Sequence, residues 1–248
     1  MLTCPMCKKA VNEFKKNCHV VPRAWAKRTK INGQNIAMDF KNDEIAISQS
    51  DYSDDYWCAD CEEASSKDDS YGAKVLLHGT EGSIREVKGT KINWKEVSAV
   101  DYQKLKKFLI SIVIRDHLAR GLRSKSQILS GAELAFLRSE YFGQHDDVFI
   151  IGYYVLDSEP LSKSLSPPVR TNGNDGANFQ LFNYCFIIYF KRKSELDALS
   201  LKATGDMRLS IITTDQAGHL KAVADGYQKI LDNPKNKKQL ANIKKKYP

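Results

Sequence analysis

The sequence predicts an α+β protein, and three stretches carry that prediction. Two C-x2-C pairs, Cys4/Cys7 and Cys58/Cys61, frame the first quarter of the chain. Residues 101–122 repeat apolar side chains at helical spacing, with Leu105, Phe108, Leu109, Ile112 and Val113 on one stripe. After Gly143 the composition turns to Ile, Val, Phe and Tyr in three runs, 148–156, 182–191 and 207–214, which read as strands with a buried face. The expected architecture is a cysteine module over 1–77, a connector over 78–100, and an α+β domain over 101–248. That last unit is expected to hold a helical segment, an antiparallel sheet and a C-terminal helix, and to recognise a target or partner.

Length and composition bound the rest. A chain of 248 residues accommodates one large domain or two small ones, and 42% hydrophobic with 27% charged residues is ordinary for a globular protein. No apolar run approaches the ~18 residues that span a bilayer. The lysine-rich N-terminus has no secretory signal pattern. Six cysteines, four of them in C-x2-C pairs, suit a reducing compartment and a metal better than a disulfide framework. A cytoplasmic protein with no membrane partner is expected. Charge is segregated: residues 1–38 hold eight Lys/Arg against Glu13, whereas 39–69 hold eleven Asp/Glu against Lys41 and Lys67. Basic surfaces attract phosphate backbones, so DNA or RNA is the expected partner, with a protein partner as the alternative.

In chain order, residues 4–7 read as a tight cysteine knuckle. His19-Val20-Val21 is strand-like and ends at Pro22. Residues 23–28 make a short basic helical turn. Alternating segments at 35–40 and 44–48 read as a hairpin. A helix is expected over 60–77, its first-turn acids Asp60, Glu62 and Glu63 suiting a helix N-terminus. The connector 78–100 is expected to hold at most one strand, and a second helix is expected over 131–141. Arg115, Arg120 and Arg123 are read as cations complementing the end of helix 101–122. Residues 157–180, with Pro160, Pro167 and Pro168, read as a long polar loop. An amphipathic helix is expected over 218–233, followed by a lysine-rich tail at 235–246.

Knuckle, hairpin and a helix carrying the second cysteine pair is the order of a treble-clef zinc motif. Two C-x2-C pairs can supply four thiolates to one Zn²⁺, with Zn–S near ~2.3 Å. Cys4, Cys7, Cys58 and Cys61 are therefore the expected ligands of a structural zinc. Cys18 is either a fifth candidate ligand or an inert buried thiol. Cys185, within an apolar run, is expected in the core. His78, His117, His145 and His219 have no partner spacing and read as structural or exposed.

With Cys18-His19-Val20-Val21-Pro22 between the cysteine pairs, residues 1–77 resemble the four-cysteine, treble-clef type of HNH endonuclease. That family follows the pattern C-x2-C, acid-His-x-x-Pro, a loop Asn, and C-x2-C followed by His or Asn. The resemblance implies a metal-dependent endonuclease that hydrolyses nucleic-acid phosphodiester bonds, and phage defence as one setting for it. It implies His19 as the general base, and a catalytic Mg²⁺ or Mn²⁺ that stabilises the developing charge. Glu62 stands where the family has its later His or Asn, and Asp68 and Asp69 on the same helix are the further candidate cation ligands. Cys18 occupies the acid position, and Ser53 the place of the loop Asn. For His19 the alternatives are a packed strand histidine or a zinc ligand. The alternative function is a catalytically inactive zinc module that binds nucleic acid or a protein.

Overall fold

A computed structural model describes residues 1–30, 35–39, 44–48, 53–78, 84–87, 93–122, 127–156, 165–191, 193–201, 206–213, 225 and 228–246. Its N-terminal part consists of short elements around the cysteines. Strands β1 (Leu2–Thr3) and β2 (Ala10–Val11) pair on either side of the first cysteine turn, and β3 (Cys18–His19) leads through Pro22 into α1 (Arg23–Thr29). The expected hairpin is present as β4 (Asn35–Asp39) and β5 (Glu44–Ser48), paired antiparallel. Strand β6 (Ser53–Asp54) returns beside β3 and is followed by α2 (Ala59–Ala73), which widens into a π turn at Lys74–His78.

Residues 78–100 depart from the expected connector. Two strands form there, β7 (Ile84–Val87) and β8 (Asn93–Ser98), and both join the main sheet. Their high charge hid them: Arg85, Glu86, Lys95 and Glu96 make a polar run whose cross-strand partners are one another, Arg85 opposite Glu96 and Glu86 opposite Lys95. Next come α3 (Tyr102–Leu122) and α4 (Gly131–Tyr141), as expected. Asp101 starts α3 by accepting from the Lys104 amide, and Ser130 with Glu133 forms a capping box on α4.

Among the described residues, strands β9 (Phe149–Leu156), β10 (Leu165–Arg170), β11 (Gly176–Leu181), β12 (Tyr184–Tyr189) and β13 (Asp206–Thr213) complete a seven-stranded sheet in the order β10-β11-β12-β9-β13-β8-β7. Two expectations fail here. The sheet is mixed, because β13 lies parallel to β9 at its centre. The long loop is largely hairpin: β10 and β11 occupy most of 165–181, with Pro167-Pro168 at a register shift on the edge strand. An edge position tolerates prolines, since the missing N–H faces no neighbour. The lysine tail is also a helix, α5 (Pro234–Lys246), with Asn233 Oδ1 accepting from Lys235 N and proline at the first helical position. Of the helix expected over 218–233, residues 228–232 are helical and most of the remainder lies outside the described residues.

The helix α3 is the spine. Sequence spacing suggested one buried stripe, but Phe108 through Ala119 are buried on every side, as expected of a helix enclosed by neighbours. Helix α2 runs antiparallel across it at short range. A Cβ on Gly72 would fall 2.6 Å from the Phe108 ring, so only glycine allows this approach. The polar side chains of α3 have named partners: Lys106 Nζ donates to Glu140 (3.1 Å) and Asp146 (2.9 Å), and Ser111 Oγ to the Phe108 carbonyl. Burial lowers the pKa of His117, whose Nδ1 accepts from the Leu129 amide.

Aromatic rings tie the sheet to the N-terminal elements. Trp25 of α1 is fully buried, stacked on Phe108 (6.0 Å) and on Phe182 (5.5 Å). Phe182 occupies the two-residue turn between β11 and β12 and is held at φ 56°, a left-handed conformation costly for a bulky side chain. Its ring is what justifies that cost. Phe182→Ala should lose about 3–5 kcal/mol in urea unfolding. Phe182→Gly should lose about 1 kcal/mol less, because glycine accepts this φ freely. The usual order, glycine below alanine, would contradict this picture of the turn.

Candidate functional site

The four expected cysteines converge. Sγ of Cys4 lies 3.9 Å from that of Cys61, Cys7 Sγ lies 3.7 Å from Cys58 Sγ, and all four sulfurs fall within 4.8 Å of one another, close enough to hold one metal ion. In a tetrahedral zinc tetrathiolate with Zn–S near 2.3 Å the sulfurs sit about 3.8 Å apart, so the spacing fits zinc. It is far from the ~2.05 Å of a disulfide, and all six cysteines are free thiols. The local chain builds this cage. Lys8, at φ 63°, turns the knuckle back, and its amide donates to the Cys4 carbonyl. Cys58 caps α2, which puts Cys61 in the first turn. From the other side, Arg138 of α4 donates to the Met6 carbonyl (2.6 Å) and holds the knuckle in place.

Charge within the cage is unevenly spread. Burial works against a thiolate at Cys4, but amides of Cys7, Cys58 and Met6 directed at its sulfur bring its pKa down to about 7. Cys61 is pushed up by burial and by the neighbouring Cys4, and Cys58 is raised as well. A divalent cation removes this conflict, since thiolates are its ligands. Cys18 stands outside the cage. Its Sγ donates to the Lys15 carbonyl, and burial together with the Glu62 carboxylate pushes it up to about 12, so it is a neutral thiol at neutral pH.

A second cluster lies beside the cage, where β3, β6 and α2 meet α3. The His19 side chain is half-buried, and its backbone is fixed twice. Tyr56 Oη donates to the His19 carbonyl at 2.9 Å, and Arg115 Nη1 donates to the same oxygen at 3.2 Å. Arg115 also clamps Asp69 through two bonds, 2.9 Å to Oδ2 and 2.7 Å to Oδ1, and donates to Ser111 Oγ. With 1% of its side chain exposed, Arg115 is a structural cation, where the sequence reading made it a helix-end charge facing the dipole. Its place was legible in outline, because 105, 108, 112 and 115 continue one helical stripe. Burial raises the Asp69 pKa, Arg115 opposes that, and Glu62 and His19 then act on it with opposite signs. Arg115 thereby links Asp69 of α2 to the backbone of His19 on β3.

The other candidates fall around this point. Trp57 Nε1 donates to Glu62 Oε2 at 2.8 Å. Asp68 accepts from the Tyr141 hydroxyl at 2.8 Å, and burial raises its pKa. Ser53 pairs with His19 across the β3–β6 ladder, and Asp54 with Cys18. His78 and His145 are exposed, and His219 lies outside the described residues. Cys185 is buried in β12, where burial pushes it up to about 12. Tyr56, Trp57 and Tyr141 were not anticipated; aromatics beside the second cysteine pair were the available signal for the first two. Among the described residues no helix is long and apolar enough to cross a membrane. No family model matches this chain, and no curated protein or solved structure matches it significantly.

Elemental analysis should find about one zinc per chain. Cys58→Ser should release it with loss of N-terminal structure, because metal binding and folding are linked in such cages. Cys18→Ser should keep it, its sulfur being no part of the cage. Zinc lost equally from both variants would refute this ligand set.

Proposed function

We propose that this chain is a metal-dependent endonuclease of the HNH kind, built on a zinc-stabilised treble clef. One observation supports the reading: Arg115 bonds both the His19 carbonyl of β3 and Asp69 of α2, the helix that also carries Glu62 and the second cysteine pair. In this reading the imidazole of His19 takes a proton from water as the water attacks a nucleic-acid phosphodiester. The bonds from Tyr56 and Arg115 to the His19 carbonyl hold β3 in place. Of the carboxylates, Glu62 suits a catalytic cation best, since Asp69 gives both oxygens to Arg115 and Asp68 takes the Tyr141 hydroxyl. A Mg²⁺ or Mn²⁺ ion would offset charge growing on the phosphate oxygens. The basic α1, with Arg23, Lys27 and Arg28 exposed, supplies charge complementary to the backbone.

A second reading rests on the same carboxylates. Asp69 is already neutralised by Arg115, Glu62 holds the Trp57 indole, and a neutral thiol stands at Cys18, where thiolate would in any case be a poor Mg²⁺ ligand. These favour a zinc module that binds nucleic acid without cutting it.

Incubation with plasmid and with RNA in Mg²⁺ or Mn²⁺ separates the two. Cleavage by the native protein, reduced about 10²–10⁴-fold in His19→Ala with zinc content and affinity unchanged, is the expected result. Binding without cleavage under either metal would leave the second reading.

A further inference from the structure

A pocket of about 360 Å³ opens where the end of α2 meets the sheet, away from the cysteine cage. Tyr154, Tyr184 and Phe182 supply aromatic walls, Leu76 and Leu77 an aliphatic one, and Arg28 of α1 the charge. Two costly backbone features adjoin it. Leu76 and Leu77 lie on the π turn at Lys74–His78, a form rare in helices and frequent at functional sites. Phe182 is the left-handed residue of the β11–β12 turn. Beside it, Lys95 Nζ sits 3.5 Å over the Tyr154 ring, and Tyr154 meets Tyr184 edge-on at 5.3 Å. Asn183 adds an amide; its Nδ2 donates to the Val155 carbonyl, which fixes the side chain at the wall.

We infer that this pocket binds a nucleobase with its adjoining phosphate. The volume lies within the ~300–1,000 Å³ of small-molecule sites. Aromatic rings stack on any base because every base presents a π face. Arg28 lines the pocket and Lys95 sits over the ring of Tyr154 at its wall, so two positive charges are on hand for a phosphate attached to that base. An apolar peptide would leave both cations unanswered, and a bare phosphate would leave the rings unused. Two sources share this chemistry: a free nucleotide, or one unstacked base of a single strand. The inference deepens the nucleic-acid reading above but does not depend on cleavage. In that setting the pocket would hold one base aside from the cut, and so select unpaired segments.

The test is fluorescence anisotropy of a labelled 12-residue oligothymidylate, with AMP and ribose 5-phosphate as competitors, on the full chain. AMP should displace the oligonucleotide, and ribose 5-phosphate should be at least tenfold weaker. Tyr154→Ala and Arg28→Gln should each weaken binding about tenfold. Arg28 is exposed, so its variant leaves the core untouched, and circular dichroism checks Tyr154→Ala. Tighter binding of the oligonucleotide than of AMP assigns a strand, and equal binding assigns a free nucleotide. The inference fails if native protein binds neither, if ribose 5-phosphate competes as well as AMP, or if both variants bind like the native protein. Cleavage by native protein and His19→Ala is scored separately. Normal binding by the pocket variants beside cleavage lost in His19→Ala would sink the pocket alone; weakened binding without any cleavage would sink the nuclease alone.

Discussion

The bidentate pair between Arg115 and Asp69 holds the candidate site together. Arg115 projects from the buried spine helix and ends at a point reached by two other elements, Asp69 from α2 and the His19 carbonyl from β3, and by Ser111 from its own preceding turn. A guanidinium presents five donors in a planar fork, so one side chain can satisfy all three, which a lysine could not. Isolated, either charge would be costly in this interior; paired, each answers the other and the remaining donors are used on backbone and hydroxyl oxygens. The backbone of His19 is thus held both from within the cysteine module, by Tyr56, and from outside it, by a residue 96 positions later.

Around that pair the structure is joined by contacts distant in sequence. Trp25 slots between Phe108 and Phe182, and Arg138 holds the knuckle at Met6. The zinc-type cage and the ion pair do different jobs. The cage fixes the knuckle and the start of α2 relative to each other, while Arg115 fixes α2 and β3 relative to the sheet-bearing body. Gly72 makes the second possible, since any larger residue would push α2 off Phe108 and move Asp69 with it.

Much of this was legible where the signal is local. The cysteine pairs announce their cage by spacing alone, and the helices at 101–122 and 131–141 and three of the strands follow from periodicity and β-branched content. Partnerships were not legible. Arg115 looks like a helix-end cation because its salt-bridge partner lies 46 residues earlier, and a charged residue on an apolar stripe does not reveal whether it faces water or a carboxylate. Pro167-Pro168 masked β10 because the rule against proline in strands is relaxed at an edge with a register shift. The strands at 84–87 and 93–98 were hidden by their charged residues, which stand opposite one another in the ladder register, and α5 by a proline that opens the helix. Asp68 and Asp69 were correctly sited on α2, but sequence could not tell that Tyr141 and Arg115 engage them.

Equilibrium urea unfolding of zinc-loaded Arg115→Met, Asp69→Leu and the double variant tests the central interaction most directly. Asp69→Leu strands the buried Arg115 cation and should cost about 3–5 kcal/mol, Arg115→Met leaves the partly exposed Asp69 and should cost less, and the double variant should recover most of the larger loss. Single losses below about 1 kcal/mol that simply add in the double variant would show that Arg115 and Asp69 are not the pair on which the site depends.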